Sequence, residues 1–109
     1  MPYYMIQGSY TSDAWTAMVK NPVDRTKAFR ELIEKVGGRV IAFYYCFGEY
    51  DVVGITELPD HVSAAAGSLA AVAAGHLKNL KTTVLLTGDD TLAALRKAGG
   101  IGYKGPSGS

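Results

Sequence analysis

Residues 43–55, FYYCFGEYDVVGI, decide the fold of this chain. Two runs of aromatic and aliphatic residues flank the short segment 48–51, and this pattern predicts two antiparallel strands joined by a tight hairpin. A strand with one face in water typically alternates apolar and polar residues. The first of these strands does not, because one side carries Val40, Ala42, Tyr44 and Cys46 and the other carries Ile41, Phe43, Tyr45 and Phe47. We therefore expect both faces of the sheet to be buried.

Working outward, the apolar runs predict four strands, at residues 3–10, 39–47, 51–58 and 80–87. A short helix follows the first strand, with Thr11 or Ser12 as its N-cap, and runs through Trp15 to Val19. A second helix is predicted from Pro22, a residue type suited to the first helical turn, and ends at Gly37 and Gly38. Its apolar stripe is Val23, Phe29, Leu32, Ile33 and Val36.

Two more helices are predicted in the second half of the chain. One begins with Asp60 as its cap and ends at Gly75. Its expected apolar face is built mostly of small residues, which allow close packing: Val62, Ala65, Ala66, Leu69 and Val72. The last helix is short, from Thr91 to Lys97, and is started by Asp89 or Asp90.

This order of elements is typical of a ferredoxin-like βαββαβ sandwich, an α+β fold. Right-handed crossovers place the two main helices on one face of a four-stranded antiparallel sheet, with the short C-terminal helix as an extra element. We expect one domain over residues 1–98 and a flexible, Gly-rich tail over residues 99–109.

The sheet face that the helices leave bare needs a cover, because a large exposed apolar surface is unusual for a monomer. We expect a second copy of the chain to supply it, in a homodimer or a higher oligomer. The alternative is that the final helix or the tail folds back over that face.

Composition excludes several classes of function. Eleven basic and ten acidic side chains in 109 residues give a net charge of +1 without a basic stripe, so we expect neither nucleic acid nor a membrane surface as a partner. The N-terminus lacks the pattern of a signal peptide, which makes a cytoplasmic, bacterial-style protein the default expectation.

No metal or cofactor is expected. Cys46 is the single cysteine and is interpreted as a small buried hydrophobe. His61 and His76 flank the third helix at a separation of about 22 Å, too far to share a metal ion within one chain. The glycines of residues 100–105 have the spacing of a nucleotide-binding loop, but no strand precedes them and too few residues follow for a helix.

At Gly48, Tyr50 and Asp51 the chain resembles the GYD domain family, small uncharacterised proteins named for this signature. The opening Pro2–Tyr4, the Asn21-Pro22 break and the pair Gly37-Gly38 agree with it, so the resemblance covers roughly residues 2–95. It implies a ferredoxin-like fold of the dimeric α/β-barrel type. The family has no established activity, so the resemblance supplies no catalytic residue.

Six residues are candidates for a ligand pocket: Tyr4, Tyr10, Tyr44, Tyr50, Asp51 and His61. Tyr50 and Asp51 combine a polar tip with a hydrogen-bond acceptor, although Asp51 is equally suited to closing the turn, with Gly48 supplying an unusual backbone angle. The other tyrosines suit a pocket between sheet and helices, or a core or interface. His61, beside the Asp60 cap, is also suited to a solvated position.

Three functions are compatible with these features. The first is an oligomeric small-molecule-binding or regulatory module, by analogy with other ferredoxin-like oligomers. The alternative is a cofactor-independent dimeric α/β-barrel enzyme of the monooxygenase or isomerase kind, with Asp51, Tyr44 or His61 transferring a proton. The third is a structural assembly protein.

Overall fold

The computed structural model describes residues 1–107. Four strands and four helices follow one another as β1 (Tyr3–Tyr10), α1 (Ser12–Lys20), α2 (Thr26–Lys35), β2 (Arg39–Tyr45), β3 (Val52–Glu57), α3 (His61–Ala73), β4 (Leu77–Leu85) and α4 (Gly88–Ile101). All strand pairs are antiparallel and lie in the order β2-β3-β1-β4. This is the predicted ferredoxin-like α+β topology.

The core lies between one face of the sheet and the helices α2 and α3. In the register of the central strands, Tyr4 pairs with Thr56 on one side and with Val84 on the other. Tyr4, Ile6 and Leu58 from the sheet side form one buried cluster with Ile33 of α2 and Ala64 of α3. Both main helices therefore pack on the same sheet face, as predicted.

A β-bulge in β2 changes which of its side chains face the helices. The pairing with β3 shifts between Val40 and Ala42, so one extra residue interrupts the alternation. Val40 packs against the core, and Phe43 on the same face lies 4.9 Å from Phe29 of α2 between ring centroids. The prediction that Val40 shares a face with Ala42 and Tyr44 was wrong for this reason.

The connection between β2 and β3 is wider than the predicted tight hairpin. The strands end at Tyr45 and resume at Val52, and the backbone N–H of Cys46 donates to the carbonyl of Asp51 at 2.8 Å. Phe47 is fully exposed at its tip. Among residues 1–107 only Gly37, Gly75 and Gly102 have a positive φ, so Gly48 does not supply an unusual backbone angle.

Helix α2 begins four residues later than predicted. The carboxylate of Asp24 accepts hydrogen bonds from the backbone N–H and the hydroxyl of Thr26, which holds this segment in a turn. Val23 therefore precedes the helix and is exposed, whereas Phe29, Ile33 and Val36 pack on the core as predicted. The helix ends at Lys35, and Gly37, whose φ is +86°, follows its C-cap Val36.

Helix α3 is rotated relative to the prediction. Its cap is Asp60, as expected, with the carboxylate accepting from the Ser63 N–H at 2.8 Å, and Gly75 follows its end with a φ of +85°. However, its buried residues are Ala64 and Gly67. The predicted apolar face points outward, since its five members are all exposed: Val62, Ala65, Ala66, Leu69 and Val72. In a helix that is apolar all round, the sequence pattern does not set the rotation.

The last two elements are longer than predicted. Strand β4 starts at Leu77, three residues early, and α4 starts with a capping box formed by Thr87 and Asp90. Helix α4 has 14 residues, all of them exposed, and it includes residues 99–101, which were placed in the tail. Residues 108 and 109 of the predicted tail lie outside the described part of the chain. None of the helices of residues 1–107 combines the length and apolar character needed to cross a bilayer.

Candidate ligand-binding cleft

A cleft of about 290 Å³ lies between the sheet and the helices α2 and α3. Its floor is formed by β1, β3 and β4, and its walls by the facing sides of the two helices. The apolar lining includes Ile6, Gly8, Phe29, Leu32, Ile33, Val52, Gly67, Ala70, Ala71, Leu77 and Leu80. This volume is at the lower end of the range of roughly 300–1,000 Å³ for pockets that hold small molecules.

The cleft exists because glycine and alanine occupy positions where larger side chains would fill it. A Cβ atom on Gly8 would lie 3.4 Å from both Leu80 Cδ1 and Val52 Cγ2, so any side chain there would extend into the space. On α3, Gly67, Ala70 and Ala71 present little more than backbone to the cleft. Alanine and glycine give α3 no clear apolar stripe from which its rotation could be predicted. The same small residues leave free space beside the helix, and this space is part of the cleft.

Apart from Ser68, whose hydroxyl is hydrogen-bonded to Ala64 and Thr82, the polar side chains of the lining are those of Tyr10, Arg25 and His76. They lie at one end of the cleft, because Tyr10 pairs with Leu77, the neighbour of His76, and lies near Arg25. Burial raises the pKa of the Tyr10 hydroxyl, and the positive charge of the nearby Arg25 guanidinium partly opposes that rise. The backbone N–H of Arg25 donates to the Tyr45 hydroxyl at 2.6 Å, and this hydroxyl donates in turn to Asp24. Tyr45 therefore fixes the backbone of Arg25, whose charged side chain lies near Tyr10.

Asp51, the last residue of the Gly-Tyr-Asp signature, makes hydrogen bonds that connect separate segments of the fold. One oxygen of Asp51, Oδ2, accepts from the backbone N–H of Tyr10 at 2.9 Å and from the indole N–H of Trp15 at 3.3 Å. The Asp51 N–H donates to the carbonyl of Gly8 at 2.8 Å. The Trp15 ring also makes an edge-on contact with Tyr10, with centroids 5.4 Å apart. Asp51 thus fixes the backbone of Tyr10, which lines the cleft, and the Trp15 ring that packs against the Tyr10 ring.

Tyr4 and His61 meet on the other side of α3. The Tyr4 side chain is buried, and its hydroxyl lies 2.9 Å from Nδ1 of the exposed His61 ring. They line a second, open hollow together with Ala64, Ala65, Ser68, Leu69 and Thr82. At about 420 Å³ this hollow is larger than the cleft but more open to solvent, and the hydrogen bond to His61 accounts for the buried Tyr4 hydroxyl.

The six predicted site residues therefore do not form a single site. Tyr10 lines the cleft, Tyr4 and His61 form the separate pair, and Tyr50 and Asp51 lie in the β2–β3 connection. Tyr44 is 68% exposed on the opposite sheet face. No three His, Cys, Asp or Glu side chains within residues 1–107 are grouped as a metal site.

The sequence interpretation missed Arg25 and His76, which reach the cleft only through the fold. Arg25 precedes α2 and His76 precedes β4, 51 positions apart in the chain, and neither belongs to a motif. The signals in the sequence were indirect: a glycine in the middle of β1 and a run of alanine and glycine in α3. Both indicate close approach or free space rather than a polar site.

Solved structures share this architecture. The chain is similar to the crystal structure of MtbAldR, with a TM-score of 0.57 and 16% identity over 79% of this chain and 53% of that one, so it spans about half the length of MtbAldR. It is also similar to TTHA0845 from Thermus thermophilus, with a TM-score of 0.53 and 16% identity over 81% and 96% of the two chains. These likenesses show the fold.

Sequence comparison identifies relatives as well. The chain is 29% identical to the "Glutamine synthetase and cystathionine beta-lyase binding protein" of Thermus thermophilus over 89 residues, which is 82% of this chain and 94% of that protein. The family model described as the GYD domain matches residues 4–95. Because that match spans most of the chain, the protein belongs to the GYD domain family.

Proposed function

We propose that this protein is an oligomeric small-molecule-binding module, in which the cleft holds the ligand and the open sheet face pairs with a second copy. The observation that carries the proposal is the cleft itself. It is apolar along its length, has polar groups at one end, and is kept open by small residues on β1 and α3. This combination is typical of sites for small organic molecules.

The proposed pairing uses the sheet face opposite the helices. Side chains that alternate with the core residues place Met5, Tyr44, Val53, Ile55 and Leu85 on this face. Its edge carries an ion pair in which Arg39 Nε and Nη2 donate to Glu57 at 2.8 and 3.0 Å, so the pKa of Glu57 is held below its ordinary value. An apolar centre with a charged rim is typical of protein interfaces.

Thermal unfolding in the presence of a panel of metabolites and apolar small molecules tests the binding role. A ligand at about 100 times its Kd adds about 2.7 kcal/mol to the free energy of unfolding. For a domain of this size that is a rise in Tm of at least roughly 10 °C. We expect one or more compounds of the panel to give such a rise without being chemically converted.

Two alanines of α3 provide a matched pair of variants. Ala71 lines the cleft, and Ala66 is exposed and lines neither hollow. Ala71→Leu fills the cleft and should abolish the Tm rise, whereas Ala66→Leu should keep it. A panel without any active compound, or an equal response of both variants, would contradict the proposed function.

The enzyme alternative lacks a supporting arrangement. Asp51 is engaged by Tyr10 and Trp15, His61 pairs with Tyr4, and Tyr44 lies on the opposite sheet face. The three residues that this hypothesis relies on for proton transfer are thus distributed over separate parts of the molecule, away from a common substrate position.

A second candidate, binding of a protein partner, is favoured by α4. Its leucines Leu92 and Leu95 are 49% and 62% exposed, and the helix as a whole has no buried residue. The Thermus relative is named for binding two enzymes, one of which is glutamine synthetase. Sedimentation of this protein mixed with glutamine synthetase tests the candidate: co-sedimentation that is lost in Leu92→Glu/Leu95→Glu supports it, and separate boundaries contradict it.

A further inference from the structure

We propose, on the basis of the binding function above, that the ligand of the cleft is a small amphipathic carboxylate. Its head group would lie against Arg25 and Tyr10, and its apolar tail would lie between α2 and α3. Nothing in the family assignment specifies this ligand class. It follows from the distribution of charge, donors and free volume around the cleft.

Charge is the first argument. Arg25 is the one lysine, arginine, aspartate or glutamate that lines the cleft among residues 1–107. The two nearby carboxylates do not line the cleft, and each is hydrogen-bonded within the chain, Asp24 to Thr26 and Tyr45, and Asp51 to Tyr10 and Trp15. The charged side chain that a ligand in the cleft contacts is therefore that of Arg25, which favours an anion over a cation at this end.

The donors at this end are the second argument. The guanidinium of Arg25 presents several N–H donors in a planar fork, a geometry that matches the two oxygens of a carboxylate. The Tyr10 hydroxyl beside it adds a further donor, and the His76 ring lines the same end. Asp51 fixes the backbone of Tyr10 and Tyr45 fixes that of Arg25, so the backbone positions that carry these donors are set before the ligand arrives.

Volume limits the size of the ligand. At about 30 Å³ for each water-sized group, a cleft of about 290 Å³ accommodates roughly ten non-hydrogen atoms. Octanoate, with a straight apolar tail and one carboxylate, has this size. It is therefore a suitable probe, with 1-octanol and octylammonium as neutral and cationic analogues of the same tail.

Trp15 provides the signal for a binding titration. It is the single tryptophan of the chain, and its ring contacts Tyr10 at the polar end of the cleft. Titrations of the full chain followed by tryptophan fluorescence should give a Kd for octanoate at least tenfold lower than for 1-octanol. Octylammonium should bind more weakly than either.

Variants of Arg25 and Arg30 test whether Arg25 causes the preference for octanoate over 1-octanol. Arg25→Gln should remove the tenfold preference for octanoate over 1-octanol, and Arg25→Lys, which keeps the charge but not the fork, should retain part of it. Arg30→Gln is the control, because Arg30 is exposed on α2 and does not line the cleft. All three variants alter exposed side chains, and circular dichroism checks that each is folded.

The outcomes separate this inference from the proposed function. Equal affinities for octanoate and 1-octanol, or a preference that survives in Arg25→Gln, would overturn the carboxylate assignment while leaving a small-molecule cleft in place. If none of the three probes binds and the panel of compounds also gives no rise in Tm, the binding function itself is contradicted. A preference that is present in the native chain and in Arg30→Gln but absent in Arg25→Gln confirms the inference.

Discussion

One oxygen of Asp51 ties three segments of the chain together. It accepts hydrogen bonds from the backbone of β1 and from the indole of α1, while its own residue belongs to the β2–β3 connection. Asp51 of the family signature therefore has a structural role, since it orients the Tyr10 backbone and the Trp15 ring near the end of the cleft. The residues that would contact a ligand there, Tyr10 and Arg25, lie outside the signature.

Replacing Asp51 by alanine should therefore destabilise the fold. The buried N–H of Tyr10 loses its acceptor, which costs about 1–3 kcal/mol in the free energy of unfolding. Urea denaturation measures the change. Glu49→Gln in the same connection serves as the control, because Glu49 is exposed and contributes its backbone carbonyl, which the substitution keeps, to the hydrogen bond with Ser9. Equal midpoints for the two variants would show that the carboxylate of Asp51 does not support the fold.

Asp60 makes stability depend on pH through the cap of α3. The Ser63 N–H stabilises the ionised carboxylate and lowers its pKa from the ordinary value of 3.8. Because the folded-state pKa is the lower one, this contribution is complete above 3.8 and is lost as the pH falls through the folded value. Asp60→Asn keeps a capping oxygen but does not titrate.

Denaturation midpoints at pH 7 and pH 3 test this role. At pH 7 Asp60→Asn should match the native chain and Asp60→Ala should be less stable. At pH 3 the native chain should lose stability relative to Asp60→Asn. If the gap between the native chain and Asp60→Asn is the same at both pH values, Asp60 is not the titrating group.

At the scale of elements, helix α2 approaches the sheet closely because β3 carries a glycine beneath it. A Cβ atom on Gly54 would lie 2.6 Å from the Phe29 ring, closer than real side chains approach. The glycine in this strand is thus required by the packing of Phe29.

Gly54→Ala should cost about 1–3 kcal/mol in the free energy of unfolding, the usual cost of overpacking. Combining it with Phe29→Leu should restore part of that loss, because leucine leaves room for the new methyl group. A double-mutant cycle measured by urea denaturation gives the coupling. Gly48→Ala is the matched control, since a Cβ there meets nothing within 4 Å. Additive effects of the two substitutions would contradict direct packing.

The structure of the helices and strands also shows which features of the fold could be predicted from the sequence. The order of strands and helices along the chain, an N-cap at Thr11 or Ser12, the cap Asp60 and the stop at Gly37 followed from local patterns, and the structure confirms them, with Thr11 as the first cap. The rotation of α3 and the bulge in β2 did not follow, because each depends on packing between elements distant in sequence. Tyr10 was one of six candidate pocket residues proposed on general grounds, and it lines the cleft, whereas Arg25 gave no local signal.

At the scale of the whole molecule, the chain exposes more surface than a monomer of its size. Its accessible surface is 7542 Å², against about 5,800 Å² expected for 11.6 kDa. Its radius of gyration is 17.7 Å, against about 13 Å for a compact chain of 109 residues. Part of the excess is α4, which is exposed along its length, and part is the open sheet face.

Sedimentation at micromolar concentration should therefore give a species of at least 23.2 kDa, which is 2 × 11.6 kDa. Ile55 lies in the middle of the open face, since its neighbours Gly54 and Thr56 face the helices. Ile55→Lys should shift the species to 11.6 kDa. Val19→Lys, on the exposed side of α1, should leave it unchanged. A native chain that sediments as a monomer would contradict pairing through this face.

The central claim is that the cleft beneath α2 and α3 holds a small molecule, and NMR of the methyl groups tests it most directly. Titration of the native protein with octanoate and with 1-octanol should shift the Ile33 and Leu80 signals in the cleft saturably. The Ile55 signal on the open face should stay in place. Unchanged Ile33 and Leu80 signals with both probes, or equal shifts at Ile55, would contradict the account.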